Sequence, residues 1–263
     1  MKILALGDSH GNVPFLEDAC RMANRLGADR IFQVGDWGYL WPGRREDRLK
    51  AITNVLDQFD QQMFFIDGNH DWFDQLERLG APVDAPEPVA LSHNVTYMSR
   101  GLTWEWDGVS FMSLGGAYSI DQEHRTPWTS WWPNELLRYA DTDRAIAAGH
   151  VDVMLTHDAP DGITRLDAFL VKSSEYLSRS YAASWYSKLE PGSTAHRKTL
   201  RGVVDEVQPD LLVHGHYHWR YDCPLVGDGY VTEVIGLDCD GTGEKAWVVI
   251  DTDEVAAMRD GDG

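Results

Sequence analysis

The segment Gln33-Val34-Gly35-Asp36-Trp37-Gly38 places a carboxylate between two glycines, straight after the apolar run Ile31 to Val34. The run reads as a buried strand. The same arrangement recurs along the chain. Ile3 to Leu6 leads into Gly7-Asp8-Ser9-His10-Gly11-Asn12, and Met63 to Ile66 leads into Gly68-Asn69-His70-Asp71. Val151 to Leu155 leads into Thr156-His157-Asp158, and Leu211-Leu212-Val213 leads into Gly215-His216-Tyr217-His218. Each polar cluster sits where a strand ends, the ligand-binding edge of an open α/β sheet. Asp and His at five such places, with no matching Cys set, point to a hard or borderline divalent metal site. Glycine beside the ligands lets the backbone approach a crowded centre. In this reading Asp36 is a carboxylate shared by two metal ions.

Composition narrows the function further. The chain has 263 residues, 43% of them hydrophobic, which suits one domain over 1–263 with a substantial core. No apolar run is long enough for a membrane helix, and no signal-peptide pattern follows Met1-Lys2. Cys20, Cys223 and Cys239 are too few and too scattered for a disulfide framework, so a reducing cytoplasm is expected. The net charge of -19 disfavours long nucleic acid, whose affinity rests on Lys and Arg against phosphates. Two bound cations would offset part of that charge and could still draw in a small phosphate ester. The oligomeric state is not legible.

Taken in order, residues 14 to 26 read as a helix with Pro14 in its first turn and Gly27 as its stop. A second helix is expected at about 46 to 60, after the aromatic and Arg-rich loop Trp37 to Arg45, and a third near Asp71. This β-α-β-α-β order implies parallel strands with right-handed crossovers. Residues 80 to 92 read as irregular. Val95 to Met98, Leu102 to Trp106 and Val109 to Leu114 read as strands, the last two joined by the hairpin signal Asp107-Gly108. A loop from Gly115 to Pro133 carries Tyr118, Asp121, Arg125, Trp128, Trp131 and Trp132, and a helix is expected over about 134 to 148. Residues 175 to 189 read as a helix or a packed excursion. Ser193 or Thr194 is expected to cap a helix to Val207. Strands near 230 to 235 and 245 to 250 close the fold, and 255–263 reads as a frayed tail.

Asp8 and His10 are two apart, as are His216 and His218, so in extended backbone each pair would point one way. With these blocks assembled, the chain resembles the calcineurin-like metallophosphoesterase family, whose pattern is D-x-H, G-D, G-N-H-D or E, H, G-H-x-H. All five blocks occur in order between residues 8 and 218. The loop from Tyr118 to Glu135 is also similar to that of phosphoesterases from phages and bacteria. The resemblance implies a four-layer α-β-β-α sandwich of two mixed sheets with a dinuclear site at the strand C-terminal ends. It implies that Asp8, His10 and His218 bind one metal, that Asn69, His157 and His216 bind the other, and that Asp36 bridges both. His70 would face the substrate, with Asp71 holding its ring. The inventory suits two divalent ions, with Mn²⁺ expected and Fe, Zn or Ni as alternatives.

The sequence departs from the pattern of the protein phosphatases. Gly35-Asp36 continues with Trp37-Gly38-Tyr39, where many members continue with a second Asp and the protein phosphatases with Asp-Arg-Gly, and Asp71 stands where the protein phosphatases carry Glu. A phosphodiesterase acting on small diesters such as 2′,3′-cyclic nucleotides is therefore expected. A phosphomonoesterase or protein phosphatase, an inactive metal-binding scaffold, and a nuclease are the alternatives. Arg125 and Arg165 are candidate phosphate contacts, and Trp37 and its neighbouring aromatics are candidate surfaces for a base. His93, His124, His150 and His196 match no motif and read as surface or packing residues. His214 reads as structural, and Asp158 as orienting His157 or capping a turn.

Overall fold

The computed structural model describes residues 1–40, 45–79, 86–178 and 183–260, the side chains at 45–47, 174–178, 183–190 and 259–260 excepted. The expected loop Trp37 to Arg45 thus lies outside the described residues over 41–44, as do the side chains of 175–189. Along the chain run β1 (Lys2–Leu6), α1 (Val13–Leu26), β2 (Arg30–Val34), α2 (Arg45–Phe59), β3 (Met63–Ile66), α3 (Phe73–Arg78), β4 (Pro88–Ser92), β5 (Val95–Met98), β6 (Leu102–Trp106) and β7 (Val109–Leu114). Then follow α4 (Tyr139–Ala148), β8 (Val153–Thr156), α5 (Thr164–Ser178), α6 (Ala183–Val207), β9 (Leu211–His214), β10 (Tyr221–Val226), β11 (Val231–Gly236), β12 (Trp247–Asp251) and α7 (Thr252–Asp260).

The strands form two six-stranded mixed sheets, ordered β12-β1-β2-β3-β5-β4 and β10-β11-β9-β8-β7-β6. Alternation along each strand decides which layer it faces. In β1, Ile3 and Ala5 point inward with Phe32, Val34 and Ile66 to meet Phe111, Val153, Leu155, Leu211 and Val213 of the other sheet. Leu4 and Leu6 point outward onto Leu16 and Cys20 of α1 and Ile52 and Leu56 of α2. On the far side, Met112, Met154 and Leu212 pack on Ala145, Leu166, Leu200 and Val204. The result is the expected four layers, helix, sheet, sheet, helix. In each sheet the central strands are parallel, β1 to β2 to β3 and β7 to β8 to β9. Their C-terminal ends therefore share an edge, and the polar clusters lie there. Asn12 opens α1 by accepting from the Phe15 amide at 3.2 Å, and Gly27 ends it in a left-handed conformation at φ 67°.

Five segments differ from the sequence expectation. Residues 88–92, within the stretch read as irregular, form β4, an edge strand opened by a proline, which only an edge tolerates. No element is predicted above for Tyr221–Val226, yet it forms β10 at the edge of the second sheet, with Tyr221, Cys223 and Leu225 facing in. The helix expected from 134 starts only at Tyr139, because Pro133–Glu135 makes a separate 3₁₀ turn. Neither Ser193 nor Thr194 caps a helix, since α6 begins at Ala183 and runs on through Pro191. The expected frayed tail is instead α7 as far as Asp260: Val255 is buried in the core between the sheets, and Thr252 at the start of α7 bonds the N-terminal ammonium at 2.7 Å. Among the described residues, no helix is long and apolar enough to cross a membrane.

One buried ion pair ties the site edge to the outer helices. Asp67, at the end of β3, takes two bonds from the Arg100 guanidinium, at 3.0 and 2.5 Å, and one from the Tyr97 hydroxyl at 2.7 Å. Arg100 also donates to the carbonyls of Asn134, Glu135 and Leu136 and lies over the Phe73 ring. Removing one partner of such a pair leaves a charge buried without compensation. Arg100→Ala is therefore expected to lower unfolding free energy by about 3–5 kcal/mol, measured by urea denaturation. Arg100→Lys should recover little of this, since it lacks the fork that reaches Asp67 and three carbonyls together.

Candidate metal centre

The five loops converge on two overlapping groups of ligand atoms. Asp8, His10 and His218 offer atoms within 4.8 Å of one another, and so do Asp8, Asp36 and His157. Asp36 lies between them: its Oδ1 is 3.3 Å from His157 Nε2 and its Oδ2 is 3.7 Å from His10 Nε2. Asn69 Oδ1 stands 3.2 Å from His157 Nε2, and the His216 ring centre is 5.1 Å from that of His157. The structure thus gathers all seven expected ligands. Asp8, Asp36, Asn69 and His157 are buried. Converging buried carboxylates and imidazoles leave acceptor atoms facing one another, an arrangement that divalent cations compensate. The donor set fits a dinuclear centre.

The backbone reaches this geometry by a route that spacing does not predict. His10, Asp36, His216 and His218 have φ of 46°, 48°, 71° and 47°, all left-handed. The expectation that Asp8 and His10, or His216 and His218, share a direction through extended backbone is therefore wrong. Tight turns aim these side chains, and the amides of His10 and Gly11 donate to the carbonyls of Asp36 and Trp37, docking the first loop on the second. Four non-glycine residues in this region at one site mark stored strain, about 1–3 kcal/mol each. Two glycines make the crowding possible. A Cβ at Gly215 would fall 2.1 Å from Asp8 Oδ1, and one at Gly68 would fall 2.3 Å from Asp36 Oδ1.

Outer contacts fix the ligands, and several come from residues that no motif marks. His157 Nδ1 donates to the Val34 carbonyl at 2.8 Å, which turns Nε2 toward the centre. Asp240 takes His10 Nδ1 at 3.1 Å and Asn12 Nδ2 at 2.6 Å, while its amide donates to the Asp8 carbonyl. Asn69 Nδ2 donates to Ser119 Oγ at 3.1 Å, and the Ser119 hydroxyl and amide donate to the buried Glu135 carboxylate at 2.7 and 2.8 Å. These bonds leave Asn69 Oδ1 toward the ligand cluster. Asp158 does not orient His157. It accepts from the Ala159 amide and the Tyr217 hydroxyl, and it pairs with His196 Nδ1 at 2.6 Å. His196 is thus a buried partner rather than a surface residue. His214 bonds the Gly215 carbonyl and the Tyr221 hydroxyl.

The remaining candidates divide. His70 stands at the rim, its ring centre 5.9 Å from that of His10, and its amide donates to Asp36 Oδ1 at 2.7 Å. Burial and the Arg125 guanidinium hold its ring below the usual histidine range, outweighing Asp36. Asp71 does not hold that ring. Its two oxygens accept the amides of Trp37, Gly38 and Gly68 at 3.0, 2.7 and 2.8 Å, so it locks the loops that carry Asp36 and Asn69. Burial, and then the Asp36 charge, push Asp71 up to about 7. Arg125 reaches the site, with Nη2 2.5 Å from His70 Nε2 and 2.6 Å from Asp121. Arg165 bonds the Asp222 carbonyl and lies over Trp219, and none of its described contacts is to the ligand cluster. Trp37 is a core residue, 1% exposed and stacked on Phe65 at 3.9 Å, so it offers no face to a base. Tyr39 and Trp132 are buried likewise, whereas Trp128 is 60% exposed.

Glu135 supplies a test of the outer contacts. Burial pushes its carboxyl up to about 7, despite the Ser119 bonds. A raised carboxyl binds a proton in the folded chain that the unfolded chain has released, so its contribution is lost as pH rises from the unfolded value to about 7. The shift corresponds to roughly 3 kcal/mol. Glu135→Gln should therefore gain on wild type in unfolding free energy between pH 5 and 8, followed by denaturant titration at each pH. A parallel pH dependence of the two proteins would rule this out.

Comparison with known proteins agrees with this fold. The chain matches the family of calcineurin-like phosphoesterases over residues 1–220. Among solved structures it is similar to TT1561 of Thermus thermophilus, with 14% identity and a TM-score of 0.57 over 98% of this chain and 95% of that one. It is also similar to a dimetal phosphatase from Danio rerio, with 12% identity and a TM-score of 0.52 over 95% and 91% of the two chains. No curated protein matches it. These likenesses in structure concern the fold, and the match over residues 1–220, with the ligand set in place, assigns the chain to the calcineurin-like phosphoesterases, a family of metal-dependent phosphoester hydrolases that use a dinuclear divalent centre.

Proposed function

We propose that the chain is a phosphodiesterase acting on small diesters, with 2′,3′-cyclic nucleotides as the leading substrates and Mn²⁺ as the working metal. The observation that carries the reading is the placement of His70 and Arg125 together at the rim beside two overlapping ligand groups. When bound, two cations about 3.5–4 Å apart would polarise a phosphoryl group and acidify a water. Arg125 offers a fork for one non-bridging oxygen of the substrate. His70, although burial and Arg125 keep its ring below the usual histidine range, would hand a ring proton to the departing oxygen. Asp71 keeps the Asp36 and Asn69 loops in register through three amides.

Several features favour a small diester. A diester carries less charge than a monoester and is repelled less by a body of net charge -19. The chain lacks the Asp-Arg-Gly extension that protein phosphatases carry after the Asp, and Trp37, which follows Asp36, is buried. With Trp37, Tyr39 and Trp132 in the core, the exposed Trp128, on the same loop as Arg125, offers surface for a base. The three described thiols are free, in keeping with a reducing cytoplasm.

The test pairs two substrates on Mn²⁺-loaded enzyme. A ribose alkoxide is a strong base and needs a proton to leave, whereas p-nitrophenolate does not. His70→Ala is expected to lower kcat on a 2′,3′-cyclic nucleotide by about 10²–10⁴, to lower it far less on bis(p-nitrophenyl) phosphate, and to leave metal content unchanged. Equal losses on both substrates would remove His70 as the proton donor. A higher kcat/KM on a phosphopeptide than on either diester would replace the diesterase reading with that of a phosphatase.

A further inference from the structure

A second convergence of ligand atoms lies at the opposite edge of the second sheet. His150 follows α4, Asp152 precedes β8 and Asp210 precedes β9, so the three sit at the N-terminal ends of neighbouring parallel strands. His150 Nε2 is 3.9 Å from Asp152 Oδ1 and 3.8 Å from Asp210 Oδ2, and all three atoms lie within 4.8 Å of one another. Both distances exceed a hydrogen bond. His150 and Asp152 are each pinned from behind. His150 Nδ1 donates to the Gln208 carbonyl at 2.8 Å, which in the neutral ring leaves the Nε2 lone pair toward the carboxylates. Asp152 Oδ2 accepts the Ser110 amide and hydroxyl at 2.6 and 2.7 Å, which leaves Oδ1 toward His150. An imidazole whose far nitrogen bonds a backbone carbonyl, set against an oriented carboxylate, is the arrangement of a metal-ligating histidine.

We propose that His150, Asp152 and Asp210 form a third divalent-cation site, separate from the dinuclear centre and selective for zinc-like ions. One nitrogen and two oxygens suit Zn²⁺, whose bonds to such atoms are about 2.0–2.2 Å. Ligands at that length in tetrahedral geometry stand roughly 3.4 Å apart, close to the observed spacing, so small side-chain adjustments would close the site. Water completes the shell, since His150 is 52% and Asp210 25% exposed. Calcium and magnesium prefer all-oxygen sets and fit less well. The bound ion would join the starts of β8 and β9 at the end of the sheet remote from catalysis.

The experiment titrates Zn²⁺ into chelator-stripped full-length protein and counts metal retained per chain, comparing wild type with His150→Gln and Asp210→Asn. Both substituted residues are partly exposed and outside the dinuclear centre. The expected result is one Zn²⁺ fewer in each variant than in wild type, a smaller Zn²⁺-induced rise in Tm, and unchanged diester hydrolysis with Mn²⁺. The readout is a difference between proteins, so it stands apart from the total bound at the dinuclear centre. Equal counts in all three would overturn the proposal and leave the cluster as a histidine flanked by two acids.

Discussion

Asp8 and Asp36 are buried within reach of the same imidazole, His157, where the edges of two sheets meet. Two carboxylates share such a place only where positive charge sits among them or one of them takes up a proton. Against the burial that would raise it, His157, His70 and His10 hold Asp36 well below the usual carboxylate range. Against burial, Asp36 and then Asp8 push His157 up to about 10. The same electrostatic demand makes the centre a metal site. It also explains why glycines, left-handed turns and outer hydrogen bonds are concentrated here. Each serves to bring acceptors closer than they would come unaided.

The sheets deliver the ligands, and the loops aim them. Parallel strands in both sheets end at one edge, so five short segments distant in sequence meet without a long excursion. Asp71 bonds three amides, and Asp240 joins the first loop to the segment before β12. Glu135, through Ser119, turns the Asn69 amide. These three acids act on the ligands from outside, and their removal would disturb geometry rather than chemistry.

The strands and the ligand set were legible because their signals are local. An apolar run ending in a polar cluster beside glycine needs no knowledge of the rest of the chain, and the hairpin at Asp107-Gly108 follows from two adjacent residues. What escaped depends on distant partners. Asp240 lies 230 residues from His10, and nothing around it marks it as a ligand's support. Pro88 and Pro224 hid two edge strands, since proline reads as a break until the strand's place at an edge is known. Val255 stabilises a terminal helix through contacts with the far end of the sheet core. Trp37 looked like a binding surface because an aromatic beside a ligand suggests one, and only packing against Phe65 shows otherwise.

We propose that Asp36 would be shared by two ions in one centre. Electron paramagnetic resonance on Mn²⁺-loaded protein tests it directly, because two manganese ions about 3.5–4 Å apart under a shared carboxylate are magnetically coupled. Wild type is expected to give a coupled spectrum, and Asp36→Asn the six-line signal of isolated Mn²⁺. An uncoupled spectrum from fully loaded wild type, or coupling that survives in Asp36→Asn, would contradict the account.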